Sequence, residues 1–111
     1  MTTKFTLIPS LAAHVETPND GILSLPISSD AHMRATLFAM SAGQEMTEHT
    51  TTMEAVVQFL EGEAELTLGG ETHIVGPGAW ICMAPNLPHS IRATQPVKFL
   101  LLVLRDTRKE A

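Results

Sequence analysis

Gln58-Phe59-Leu60-Glu61-Gly62-Glu63-Ala64-Glu65-Leu66-Thr67-Leu68-Gly69-Gly70-Glu71-Thr72-His73-Ile74-Val75 is the stretch whose pattern decides the fold. Ala64, Leu66 and Leu68 alternate with Glu63, Glu65 and Thr67, the two-residue period of a strand with one buried and one wet face. Gly69-Gly70 supplies the positive φ that a tight hairpin needs, so the chain reverses there and Thr72 to Val75 returns alongside. Working outward, strands are expected at Ile22 to Ser28, Arg34 to Met40, Val56 to Glu61, Trp80 to Met83, Ser90 to Thr94 and Val97 to Leu104. Phe5 to Ile8 is also strand-like. Gly76-Pro77-Gly78 makes another reversal, and Ala84-Pro85-Asn86-Leu87-Pro88 interrupts the ladder because proline has no N–H to donate. One short helix is expected at Ser10 to Glu16, capped by Ser10 and stopped by Thr17-Pro18-Asn19-Asp20-Gly21. Many short strands with hardly a helical period imply an all-β, antiparallel sandwich or barrel.

Composition narrows the function classes. The chain has 111 residues, 44% apolar and 17% charged, which suits one ordered globular core. With four Phe, one Trp and no Tyr, that core must be filled by aliphatic residues and the six Met. A net charge of −5 with only seven Lys and Arg excludes the basic surface that a nucleic-acid partner needs. The most apolar run, Phe99 to Leu104, is far shorter than the ~20 residues of a membrane-spanning helix, so no membrane partner is expected. The single Cys82 cannot form an intrachain disulfide, and Met1-Thr2-Thr3-Lys4 leads into Phe5 without a recognisable leader. A cytoplasmic setting is therefore expected. Cys82, between Ile81 and Met83, reads as a small core residue.

Two histidines sit in glycine frames. The first frame runs from Gly43 through His49, Thr51 and Ala55 to Gly62; the second runs from Gly78 through Ala84, Pro85, Asn86 and His89 to Ala93. These frames resemble the cupin family, whose first motif is G-x5-H-x-H-x3,4-E-x6-G and whose second is G-x5-P-x-G-x2-H-x3-N. Gly43, His49 and Gly62 match the first, with Thr51 in place of its second histidine and Ala55 in place of its glutamate. Gly78 and His89 match the second, while Ala84, Asn86 and Ala93 replace its proline, glycine and asparagine. Asn86 keeps the left-handed option that the glycine would give.

The resemblance implies one cupin domain over residues 1–111, a double-stranded β-helix or jelly-roll barrel. Its motif-bearing part would cover about 34–104, after an N-terminal strand and turn at 1–30. In such a barrel His49 and His89 would project inward from neighbouring strands, where neutral imidazoles suit a divalent transition metal: Fe, Mn, Ni, Cu or Zn. Alternation from His49 would turn Thr51, Met53, Ala55, Val57 and Phe59 inward, and Leu66 and Ile91 would complete a mostly apolar pocket for a small-molecule ligand. Glu54 is the substitute metal ligand, provided a bulge turns it inward. The family's habit of pairing makes a homodimer the expected assembly, with Phe5 to Ile8 as a candidate contact.

Two functional readings follow. In one, the chain is a metal-dependent enzyme acting on a small molecule that takes the ion's open positions. In the other, the two histidines line a metal-free binding or sensing pocket.

Overall fold

A computed structural model of the chain describes residues 4–105. Its strands are β1 (Ile22–Ser29), β2 (Met33–Met40), β3 (Glu45–His49), β4 (Glu54–Glu61), β5 (Ala64–Leu68), β6 (Glu71–Val75), β7 (Trp80–Met83), β8 (His89–Ala93) and β9 (Val97–Leu104). They form a five-stranded sheet ordered β1-β2-β9-β4-β7 and a four-stranded sheet ordered β3-β8-β5-β6. Every pairing is antiparallel. This is the expected all-β architecture, with the expected hairpin at Gly69-Gly70; its return strand starts one residue earlier than expected, with Leu68 opposite Glu71.

β9 explains the layering. Its sequence is apolar at every position except Lys98, so both of its faces need cover. On the inner face Val97 and Phe99 are buried against Phe59, Leu66, Ile91 and Ala93, which joins the two sheets through one core. Phe38 and Phe59 flank Phe99 at ring-centroid distances of 5.1 and 5.3 Å. On the outer face Leu100 packs with Leu37, Ala39, Leu25 and Leu60 beneath Leu11 and Val15. Lys98 Nζ fastens this cover by donating to the Ala12 carbonyl at 2.7 Å.

Four local expectations need correction. The segment at Ser10 to Glu16 is only a single 3-10 turn, Ala12–His14, although the Ser10 hydroxyl does accept from Ala13 N–H at 3.3 Å. The seven residues from Leu11 to Thr17 are too few to sustain an α-helix by themselves before Pro18 stops it. Phe5 to Ile8 forms no strand and joins neither sheet, with Phe5 and Leu7 each 73% exposed. Strand β3 was absent from the expectation because only Met46 in Glu45–His49 is apolar; it is a sheet edge, paired on one side with β8. Cys82 is exposed, since its partner Val56 lies on the outer face of β4 while Met83 turns into the core.

Gly62 closes the β4–β5 connection at φ 79°, and a Cβ there would overlap the Pro96 carbonyl oxygen and crowd Val97 Cα. Backbone cannot yield as a flexible side chain does. Gly62→Ala should therefore lower the unfolding free energy by about 2–4 kcal/mol in urea titration. A change below about 0.5 kcal/mol would contradict the close approach.

Asp30 shapes the β1–β2 turn. Its Oδ1 accepts from His32 N–H at 2.7 Å and Met33 N–H at 2.9 Å. These two backbone bonds hold its carboxyl below the ordinary value of 3.8. A folded-state pKa below the unfolded one means stabilisation that is full above 3.8 and lost as pH falls through the depressed folded value. Asp30→Asn keeps an acceptor oxygen without the titration, so its stability should fall less steeply than wild type below about pH 4. Parallel slopes in denaturation curves over that range would refute this assignment.

Candidate functional site

The two histidines meet on adjacent strands. A bulge between Met46 and His49 brings His49 directly opposite His89, and the ring centroids lie 4.2 Å apart with planes at 62°. His89 is in the interior of the four-stranded sheet, flanked by β3 and β5, and is only 7% exposed. His49 ends the edge strand and is exposed.

Backbone carbonyls fix both rings in the same way. His49 Nδ1 lies 2.8 Å from the Thr47 carbonyl oxygen, and His89 Nδ1 lies 2.9 Å from that of Leu87. A carbonyl can only accept, so each Nδ1 carries the proton and each neutral ring is left with an unprotonated Nε2. This is the outer-shell arrangement that prepares histidine as a metal ligand. The carbonyls were not singled out from sequence; each simply stands two residues before its histidine.

The loops on either side are tied together. Asn86, with φ 68°, donates its N–H to the Thr51 carbonyl at 2.7 Å, and Gly69 N–H bonds the Pro88 carbonyl at 2.8 Å. The Thr51 hydroxyl donates to the Met53 carbonyl at 2.8 Å and accepts Met53 N–H at 3.1 Å, so it folds its own loop.

The fit to a divalent ion can be tested on ring spacing. An ion ~2.0–2.1 Å from two imidazole nitrogens, at angles between square and tetrahedral, sets the ring centroids about 4.5–5.2 Å apart. The observed 4.2 Å falls short of that range, so the rings would have to part by a few tenths of an ångström to share one ion. Two imidazole nitrogens would supply only half of a four-coordinate shell.

Glu54 does not join them. The ladder from Glu54 to Phe59 is regular, without the bulge that would turn it inward, and its carboxylate accepts from the Cys82 thiol at 3.6 Å on the outer face. Partial desolvation, then the charge of Glu54 and its hydrogen bond, raise the Cys82 thiol above its ordinary pKa, so it is not an activated nucleophile. Among the described residues no group of three or more His, Cys, Asp and Glu converges. Of the residues expected to line a pocket, Ala55, Val57, Phe59, Leu66 and Ile91 are buried in the packed core, while Thr51 and Met53 are half-buried in the loop after His49.

The cupin domain pattern matches residues 36–103, and the chain belongs to that family. The fold agrees with it. A conserved protein of unknown function from Streptococcus pyogenes is 29% identical, with 98% of this chain and 93% of that one covered at a TM-score of 0.83. A cupin superfamily protein from Desulfitobacterium hafniense is 21% identical over 96% of this chain and 95% of that one, TM-score 0.83. The DMSP lyase DddQ from Ruegeria pomeroyi is 22% identical over 81% of this chain and 50% of that one, TM-score 0.72. The last two likenesses carry fold alone. No curated protein sequence matches the chain. Among the described residues no helix is long and apolar enough to cross a membrane.

Proposed function

We propose that the chain is a small, cytoplasmic, single-domain cupin that binds a divalent transition metal through Nε2 of His49 and of His89 and presents the ion to a small-molecule ligand, as a metal-dependent enzyme would. The observation that carries this reading is the matched pair of Nδ1–carbonyl contacts, which leaves the Nε2 of each ring as the atom to donate an electron pair. Bound there, the ion would act as a Lewis acid toward an oxygen of the ligand. Leu68 stands opposite His89, so the buried member of the pair has an apolar neighbour, while the exposed His49 leaves the site open to a ligand from solvent. A second reading, a metal-free small-molecule pocket, is favoured by the ligand count, because two imidazoles alone are a weak site.

The two readings separate by metal titration. Chelator-treated wild type should take up one Zn(II), Ni(II) or Co(II) per chain in calorimetry, and His49→Ala and His89→Ala should each weaken uptake at least tenfold. Wild type that takes up none of these ions leaves the metal-free pocket as the function.

We infer in addition that the chain pairs with a second copy. The N-terminal segment carrying Phe5 and Leu7 presents two large apolar side chains that its own sheets do not use. Sedimentation equilibrium should give twice the chain mass, and Phe5→Ser with Leu7→Ser should shift the equilibrium toward monomer. A wild type of single-chain mass at all concentrations would end this inference.

A further inference from the structure

We propose that Arg34 is the anion-binding residue of the His49 and His89 site, and that the ligand is a small molecule bearing a carboxylate. The inference rests on the reading of the histidine pair as a ligand site, and it names the ligand's chemical class.

The placement follows from sheet register. Arg34 is opposite Val103, Val103 is opposite Ala55, and Ala55 is opposite Met83, so the four form one row across β2, β9, β4 and β7. Ala55 and Met83 belong to the core between the sheets, which puts this row on the inner face of the five-stranded sheet. Alternation along β2 agrees: Phe38 and Met40 contribute to that same core, whereas Leu37 and Ala39 contribute to the outer cluster. Arg34 thus lies on the inner face and is exposed, with Ser29 of the edge strand β1 beside it.

Chain direction brings the row to the histidines. β2 runs away from Arg34, crosses at residues 41–44 and returns as β3, which ends at His49. The loop of residues 50–53 then leads directly from His49 to the start of β4, and Asn86 N–H ties the loop before His89 to Thr51. Arg34 and the histidine pair consequently open at the same end of the barrel, on sheets that pack ~10 Å apart.

Charge supplies the chemical class. Ala55, where the family pattern has a glutamate, gives the row no acid, and Glu54 is committed to the opposite face. Among the described residues Arg34 makes no ion pair, whereas Arg92 is held by Glu65 and Lys98 by Glu61. In a chain of net charge −5, a row that lacks its own carboxylate and carries a guanidinium is suited to receive a carboxylate from outside. Arginine's planar fork can hold both oxygens of such a group.

Benzoate, with benzamide as its uncharged counterpart, tests this by NMR of the histidine ring protons, assigned with His49→Ala and His89→Ala. Benzoate should shift the His49 and His89 signals in wild type, and benzamide should not. Arg34→Gln should weaken benzoate binding about tenfold, with Arg34→Lys in between and thermal melts showing each variant folded. Equal benzoate binding by wild type and Arg34→Gln, or equal shifts by benzamide, would overturn the role of Arg34. If benzoate leaves both signals unmoved while Zn(II) shifts them, the carboxylate proposal fails and the histidine site survives. If neither probe moves them, both fail.

Discussion

Strand β9 must be covered on both faces, and most of the structure can be read as the response. Its inner side chains draw the four-stranded sheet over them, and its outer ones draw Leu11 and Val15 down from the N-terminal segment. Because β2 and β4 pair on either side of it, β9 also fixes the height at which each presents its residues. The position of Ala55, of Arg34 and of the loop that carries Thr51 all follow from that register. A hydrophobic requirement in the middle of one sheet therefore sets the geometry of polar groups at its rim.

At that rim the constraint changes in kind. The histidines are oriented by hydrogen bonds to backbone, and the backbone is held by turns: the left-handed Asn86, the bond from its N–H to Thr51, and the bulge before His49. Thr51 fills a histidine position of the family pattern, yet its hydroxyl organises the loop that would have carried that ligand. The chain thus keeps the turns of the family pattern while Thr51 and Ala55 stand at two of its ligand positions.

How much of this was legible in the sequence depended on whether a residue's environment was set locally. Ala64, Leu66 and Leu68 announce a half-buried strand, and Gly69-Gly70 announces its turn, because alternation and positive φ are properties of a few adjacent residues. The paired histidines were legible through their spacing from Gly43 and Gly78. Strand β3 was not, since an exposed edge needs little apolar sequence, and its pairing partner lies some forty residues away. Cys82 was misjudged because a strand of four residues has too short a pattern to assign its faces, whereas Glu54 keeps the outward side that alternation gives it, since no bulge forms there. Arg34 went unnoticed because its relation to His49 exists only after β9 has aligned β2 with β4.

The two histidines differ in how firmly their strands are held. β8 is bonded on both sides, so His89 is as fixed as the sheet itself, whereas β3 is bonded on one side only and interrupted by its bulge just before His49. Opening of that edge would separate the rings without disturbing the core. Any molecule that grips both rings must then also clamp β3 onto β8. Slowed amide exchange along an otherwise frayed border would accompany occupancy, making the mechanical state of one strand a record of whether the site is filled.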